Sequence, residues 1–334
     1  MSEEQTRNLA GRTLAPEELL PAHNLCMLNH DILVELLRSG ERHGAFVEPI
    51  TLRDNKDRDE LEGADDVFEW LQRTGRLDDR VRVLRRVAFP ALLSDFLHFV
   101  FEALETSRKG KLSVSYALIR KPLQENLFLL EVISTDLDEF AHHLVDNPML
   151  LRAQKAGGIE AHRRRIAKAL DVLGEQDRFD AAYLAQLRYE RNVDDGFDGS
   201  CNKAVHLFTE HPAIRTEPLN VNFIFSDWDA KLTQWYYLYS RLPYVLYYAR
   251  LLVEHVCSTF AQTDPVYLAD MERRVAAGTI MWARNVDADY RHPSIEHFVD
   301  VTRERLAHAC RAAGHREPML SDLPKMLATG AFPE

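Results

Sequence analysis

Apolar residues along the chain repeat with the spacing of a helix, and the alternation that marks a strand is nearly absent. A first helix is predicted from Pro16 to about Gly40, because its leucines and isoleucine fall on one stripe. Longer helical patterns run from about 77 to 108, from 115 to 133 and from 228 to 260. We therefore predict an all-α fold, a multi-helix bundle.

Two stretches interrupt this pattern. The polar, aperiodic residues after the first helix predict an N-terminal helix with an exposed connection over 1–62 and a main helical domain at 63–334, or one continuous domain over 15–315. Residues 194–226 contain glycine, proline, asparagine and a short β-branched and aromatic run, which predicts an irregular, loop-rich insertion. Loops held by a rigid scaffold often carry function, so this insertion is a candidate location for a site.

The helix at 228–260 is the most hydrophobic and contains six of the eleven tyrosines. Its apolar side chains lie on two faces, so it has to be covered on two sides. It is predicted to be either the centre of the bundle or the seam of a homodimer. A ligand pocket is the less favoured interpretation, because aromatic stripes at helical spacing usually belong to a core.

Composition narrows the classes of function. The 334 residues are 46% hydrophobic, with a net charge of -11 and an isoelectric point near 5.7, which argues against an extended surface for duplex DNA. No uncharged run of about 18 apolar residues is present and the N-terminus has no apolar leader, so we expect a cytoplasmic protein without a membrane contact. The four cysteines are far apart and outside CxxC pairs, and no glycine-rich nucleotide motif occurs, so we expect free thiols and no cofactor.

Charged residues interrupt the apolar helix at 115–133. Arg120 and Glu125 are five residues apart and do not face each other, so each needs a partner elsewhere. Pro122 also frees the carbonyl near Leu118 from its usual hydrogen bond. One interpretation is a buried ion pair between helices that sets the register of the bundle, and the other is a polar site inside the bundle.

The segment SCNKAVHLF at 200–208 provides a second candidate. Asn202 and His206 have i,i+4 spacing on what we predict to be the first turns of a helix. With an arginine from another helix, an amide and an imidazole on one face could hold a phosphate and move a proton. The alternative is a core histidine with a satisfied hydrogen bond beside Val205 and Leu207.

The Arg-x-x-x-x-Glu helix, followed later by a polar residue and Val-His, resembles uncharacterised bacterial all-helical proteins related to the HEPN superfamily, over about residues 110–260. The resemblance implies a dimeric, metal-independent ribonuclease of toxin-antitoxin or phage-defence systems, in which an Arg-x(4-6)-His motif gathers at the dimer seam. Its histidine would act as general acid or base at the ribose 2′-hydroxyl and its arginine would stabilise the phosphorane charge. Cys201 stands where the family's arginine would precede Asn202 and His206, so this motif lacks its phosphate-binding charge.

Other pairs meet the Arg-x(4-6)-His spacing, and about four are expected by chance in a chain of this composition. They are Arg38 with His43, Arg250 with His255, Arg291 with His297, and Arg303 with His308. Arg291 and His297 are the pair to test, because Pro293 would begin a helix and place Arg291 at its positive end, near an anion.

A metal site is a further alternative. Two acid–histidine pairs have the i,i+3 spacing by which helices of di-iron proteins supply two ligands each: Asp95 with His98, and Glu139 with His142. Only half of that signature is present, so no metal is the favoured expectation.

The functional hypothesis is a HEPN-like helical protein that acts on RNA or a nucleotide. His206, Arg120, Glu125 and Asn202 would line its polar site. The first alternative is a non-catalytic interaction protein with helix 228–260 as its partner surface, and the second is a bundle metal protein.

Overall fold

The computed structural model describes residues 13–334 apart from the side chain of Ala213, and within this part of the chain it contains helices and turns but no strand. The all-α, multi-helix prediction is confirmed. The α-helices are α1 (Leu20–Arg42), α2 (Asn55–Glu62), α3 (Val67–Arg73), α4 (Leu77–Arg108), α5 (Leu112–Lys121), α6 (Leu127–Thr135), α7 (Leu137–Asp146), α8 (Ile159–Leu173), α9 (Ala181–Tyr189), α10 (Phe197–Val205), α11 (Trp228–Ser258), α12 (Pro265–Arg284), α13 (Pro293–Ala312) and α14 (Leu323–Thr329).

Helix α11 lies at the centre of the bundle. Every residue from 238 to 250 is buried by the chain itself, and α1, α5, α6 and α8 pack around the helix. Two apolar faces on one helix require this central position, since an uncovered face would leave large side chains in water. A second chain could therefore reach this helix only near its ends.

Helix α1 belongs to the same hydrophobic core as α11. It packs against α4, α11 and α12, and its buried stripe, which includes Leu25, Ile32 and Leu33, joins the side chains of the central helix. A smaller cluster ties α12, α13 and α14 together through Ile280, Leu306 and other apolar residues. The stripe read from the sequence is thus the face that α1 buries.

The helix that carries Arg120 and Glu125 contains a π-helical turn. Residues Pro122–Asn126 form this turn between α5 and α6, and the Leu127 N–H donates to the Pro122 carbonyl. Proline cannot donate the hydrogen bond that an α-helix needs at this point, and the wider turn lets the chain continue without a break. It buries Gln124 and Asn126. We refer to Pro122–Asn126 as the π-turn.

Helix α4 is the one helix among residues 13–334 that is long and apolar enough, by length and composition, to cross a membrane. Core helices of soluble proteins meet the same criterion. Here Phe89, Leu93 and Phe96 are buried within the bundle, and the helix continues through Pro90.

A buried ion pair joins α9 to α6. Arg188 and Glu131 contact each other with both side chains fully buried, and the Tyr248 hydroxyl donates to Glu131 at 3.0 Å. Arg188 Nε donates to the Leu123 carbonyl at 2.6 Å, and another of its nitrogens donates to the Tyr189 hydroxyl at 2.6 Å. Such a pair is stable only where these additional hydrogen bonds offset the loss of hydration.

We expect Glu131→Gln to lower the free energy of unfolding by about 3–5 kcal/mol, because it leaves the Arg188 charge buried without its counter-ion. Urea unfolding followed by far-UV circular dichroism measures this loss. The matched control is Asp300→Asn, which breaks the exposed 2.8 Å pair with Arg303 and should cost less than about 1 kcal/mol. Equal losses in the two variants would contradict the importance of the buried pair.

Candidate functional site

A polar cleft of about 350 Å³ opens beside the π-turn. It is bounded by the end of α5, the π-turn, the start of α8, and the segments that follow α9 and α10. Its lining residues are Arg120, Gln124, Ala153, Gln154, Gly158, Ile159, His162, Tyr189, Arg191, Asn192, Asp198 and His211. This volume is in the range of small-ligand sites.

The floor of the polar cleft is held by hydrogen bonds from Gln124. Its side-chain nitrogen donates to the Arg188 carbonyl at 2.8 Å and to the Asp198 carboxylate at 2.6 Å. Arg191 Nε donates to the other Asp198 oxygen at 2.8 Å. Asp198 is therefore neutralised by Arg191, and its orientation is fixed from two sides.

Arg120 is the cation of the polar cleft without a counter-ion. Its Nε is buried and has no acceptor, and no hydrogen bond or ion pair between residues 13 and 334 involves its guanidinium. Burial and Asp198 raise the pKa of the Cys201 thiol, and the charge of Arg120 opposes that shift. Arg120 is therefore close enough to Cys201 for its charge to act on that thiol.

His162 forms a neutral wall of the polar cleft. Its ring stacks on Tyr189 at 3.6 Å with an interplanar angle of 13°, and Arg165 lies 3.3 Å from its Nδ1. Burial, with smaller contributions from Arg165 and Arg188, lowers the pKa of His162 to about 3. The imidazole is thus uncharged at neutral pH, and the positive charge of the cleft comes from its arginines.

The structure separates the four residues of the first sequence-based site. Arg120 lines the polar cleft, and Glu125 borders it by accepting a 2.9 Å hydrogen bond from Gln154. Asn202 and His206 are not among the lining residues.

The prediction that Asn202 and His206 stand on the first turns of a helix was wrong. Helix α10 begins at Phe197, so Asn202 is in its second half, and His206 follows its last residue in an extended conformation. The side chain of His206 is exposed, and its carbonyl accepts a 2.9 Å hydrogen bond from Asn222. The chain leaves the helix here because the following loop binds this carbonyl.

Sequence reasoning missed most of the polar cleft. Gln124 lies next to two residues that it did select, and Arg191, Asp198 and His211 flank or occupy the irregular insertion that it marked. The signal in the sequence that could have pointed to Gln124 is its position within the charged interruption of an apolar helix. Which of these side chains meet depends on contacts between distant parts of the chain.

Arg291 and His297 lie in different places. Helix α13 begins at Pro293, as predicted. Arg291 is exposed at the edge of a cavity of about 340 Å³, whereas His297 lies 2.7 Å from the Asp177 carbonyl and borders another cavity. The two side chains therefore do not line one site.

The metal-site residues have other partners or remain exposed. Asp95 accepts hydrogen bonds from Lys121 and Asn126, both at 2.8 Å, and His98 is exposed. Glu139 and His142 are exposed on α7, where His142 pairs with Asp146 at 3.0 Å. Over residues 13–334 no group of three histidine, cysteine or carboxylate side chains could hold a metal ion. The bundle-metal alternative has no site in this part of the chain.

A second surface feature is the exposed apolar segment, defined as Val205–Trp228. Seven of its large apolar side chains are 49–103% exposed: Val205, Leu207, Phe208, Leu219, Ile224, Phe225 and Trp228. Backbone hydrogen bonds from residue 216 to 209 and from residue 222 to 207 hold the loop together. A concentration of exposed large apolar side chains in one segment is typical of interaction sites.

The low pKa of His162 predicts a pH dependence of stability. Below pH 6.5 the unfolded chain gains a proton that the folded protein does not accept until about pH 3, so acid favours unfolding. We expect His162→Phe, which keeps the stacking on Tyr189, to remove about 1–3 kcal/mol of the stability difference between pH 7.5 and pH 4.5. Urea unfolding at both pH values measures it, with His142→Gln at an exposed histidine as the control. An unchanged pH dependence in His162→Phe would contradict the assignment.

Comparison with known proteins gives no family for this chain. No protein-family model, curated protein or solved structure matches it. The resemblance to the HEPN superfamily therefore stays a prediction, and a functional proposal depends on the geometry of the polar cleft and of the exposed apolar segment.

Proposed function

We propose that this protein acts on RNA or on a nucleotide by binding a phosphate group in the polar cleft, and that an RNA phosphodiester is cleaved there without a metal ion. The observation that carries this proposal is the guanidinium of Arg120, which borders the cleft with a buried Nε and has no acceptor within residues 13–334. An unpaired buried donor of this kind is costly unless a ligand satisfies it. A phosphate is the natural ligand, because arginine binds it with parallel charge-assisted hydrogen bonds.

The charges around Arg120 favour an anion at this point in spite of the net negative charge of the protein. Arg191 is already paired with Asp198, so the two cancel, and Arg120 remains as uncompensated charge. His162 and Tyr189 form a stacked aromatic wall beside it. Such a wall suits a base or a ribose next to the bound phosphate.

Cleavage requires a group that removes the proton of the ribose 2′-hydroxyl. The 2′-oxygen then attacks phosphorus and the 5′-oxygen leaves with a proton, which gives a 2′,3′-cyclic phosphate and a 5′-hydroxyl end. Our proposed proton carrier is His211, the other histidine that lines the polar cleft. Arg120 would stabilise the charge of the phosphorane. His206, exposed after the end of α10, is the second choice.

Arg120→Gln should weaken binding of a labelled single-stranded RNA and of adenosine monophosphate by about 10–100-fold, because it removes the charged group that would donate hydrogen bonds to the phosphate. Fluorescence anisotropy and isothermal titration calorimetry measure the two affinities. The matched control is Arg164→Gln, which removes the same charge from an exposed position on α8 outside the cleft. Equal losses of affinity in both variants would mean that only the overall charge of the protein matters, and they would contradict a phosphate site at Arg120.

Cleavage is tested separately in EDTA, with the ends of the RNA products identified. Activity that is lost in Arg120→Gln and His211→Ala and kept in His206→Ala supports the proposed machinery, whereas loss only in His206→Ala moves the proton carrier out of the cleft. Loss only in Arg291→Ala moves the site to the 291–297 segment. Absence of cleavage by wild-type protein that binds RNA would limit the function to binding.

The exposed apolar segment favours a second function, that of an interaction protein. The sequence suggested helix 228–260 as the partner surface, but that helix is buried over most of its length, and the exposed apolar side chains lie before it or at its first residue, Trp228. We propose a homodimer in which the exposed apolar segment of one chain covers that of another. Phe208 and Phe225, 65% and 68% exposed, would lie in this contact.

We expect the wild-type protein to sediment as a dimer and the double variant Phe208→Ser/Phe225→Ser as a monomer, because the substitutions remove apolar area from the contact. Sedimentation velocity at several concentrations measures this. Val266→Ser, at another exposed apolar position (74%), is the control. A wild-type monomer at all concentrations would exclude the homodimer.

A further inference from the structure

A pocket of about 320 Å³ with aromatic walls lies where the C-terminal ends of α1 and α11 meet. Its lining residues are distant in sequence from those of the polar cleft. We name it the aromatic pocket and define it by its lining residues, Glu35, Leu36, Ser39, Gly40, His43, Ala45, Phe46, Cys257, Phe260, Ala261, Gln262, Thr263, Asp264 and Tyr267. None of these residues belongs to the polar cleft or to the exposed apolar segment. A cavity of this size with apolar walls and a few polar groups is typical of a small-molecule site.

The walls of the aromatic pocket are rigid aromatic rings. Phe46 and Phe260 meet edge to face, with ring centroids 5.7 Å apart, and both pack on the fully buried Phe89. Gly40 lets the Phe46 ring lie against α1, since a Cβ at that position would be 2.5 Å from the ring. Walls fixed in this way are formed before a ligand arrives, which lowers the entropic cost of binding.

The charged side chains that line the aromatic pocket are carboxylates, whereas the guanidiniums of Arg85 and Arg86, which contact Phe260, are not among its lining residues. The lining includes the carboxylates of Glu35 and Asp264 and no lysine or arginine. Glu35 is exposed at the mouth, and no ion pair between residues 13 and 334 uses its carboxylate. Burial raises the pKa of the Tyr267 phenol, Glu35 and Glu254 add to this rise, and Arg274 and Arg250 oppose it.

The backbone adds to this negative potential. Helix α1 ends at Arg42 and α11 ends at Ser258, and residues at or near both ends line the aromatic pocket. The C-terminal end of a helix carries partial negative charge and attracts cations. Asp264 caps the start of α12 by accepting from the Val266 N–H at 2.8 Å, so its charge also serves that helix, whereas Glu35 has no such role.

Aromatic faces beside a carboxylate are the chemistry that recognises an organic ammonium ion. The Phe260 ring is already occupied by the protein's own cations, with the guanidinium carbons of Arg85 and Arg86 at 4.8 and 5.3 Å from its centroid, so the rings left for a ligand are those of Phe46 and Tyr267. From the rings, the carboxylate and the two helix ends together, we propose that the aromatic pocket binds a small organic cation, an ammonium group on an apolar body. The ammonium would lie towards Glu35 and the apolar body between Phe46 and Tyr267.

The test uses benzylammonium as the probe, with its uncharged analogue benzyl alcohol and its anionic analogue benzoate, on the full-length protein by isothermal titration calorimetry. We expect benzylammonium to bind at least 10-fold more tightly than either analogue, and Glu35→Gln to reduce this preference several-fold. Glu41→Gln, at an exposed carboxylate on the same helix outside the pocket, should leave it unchanged.

A second variant identifies the location. Ala261 is exposed at the rim, so Ala261→Trp should fill the pocket without disturbing the core, and it should abolish binding while the circular dichroism spectrum stays that of the wild type. Absence of benzylammonium binding, equal affinity for benzyl alcohol, tighter binding of benzoate, or full binding by Ala261→Trp would each overturn the proposal. None of these outcomes depends on whether RNA binds in the polar cleft, so this proposal and the proposed function can fail independently.

Discussion

The buried ion pair between Arg188 and Glu131 is the interaction on which the rest of the structure depends. It lies at the junction of α6, α9 and α11, and the Leu123 carbonyl and the hydroxyls of Tyr189 and Tyr248 supply further hydrogen bonds, while Oε2 of Glu131 is buried without a partner among residues 13–334. A charge pair without such bonds would be less favourable than apolar side chains of the same volume. The pair therefore specifies one arrangement of these helices, and the polar cleft forms beside the π-turn in that arrangement.

The π-turn links this core interaction to the surface. Pro122 prevents regular α-helical hydrogen bonding, and the wider turn buries Gln124 while Arg120 stays at the edge of the polar cleft. Extra residues in a helical turn are often found at functional sites because they re-aim side chains without ending the helix. Two arginines of different type lie near this turn: Arg188, each of whose nitrogens has a partner in the core, and Arg120, whose guanidinium makes no hydrogen bond or ion pair with residues 13–334.

The protein presents three surfaces of different chemistry. The polar cleft carries unpaired positive charge, the aromatic pocket carries carboxylates and helix C-termini, and the exposed apolar segment presents seven large apolar side chains. The net charge of -11 does not predict the local charge of any of these surfaces. Exposed charges more than about 10 Å apart are largely screened from one another at physiological salt. Local composition is therefore the better guide to what each surface binds.

The sequence by itself determined the long helices, the buried stripe of α1, the two-sided burial of α11 and the start of α13 at Pro293, because each follows from residues within a turn or two of one another. It missed the short helix α2, which lies in the stretch predicted as an exposed connection. The sequence also identified Arg120 and Glu125 as charges in need of partners. Only the tertiary structure decided the partners: Arg188 meets Glu131 across 57 positions of the chain, and Gln124 meets Asp198 across 74. The end of α10 before His206 was decided in the same way, by a hydrogen bond from a loop 16 residues further on. Helical periodicity is local, whereas the docking of helices that pairs charges is not, and for that reason the fold could be predicted and most of the polar cleft could not.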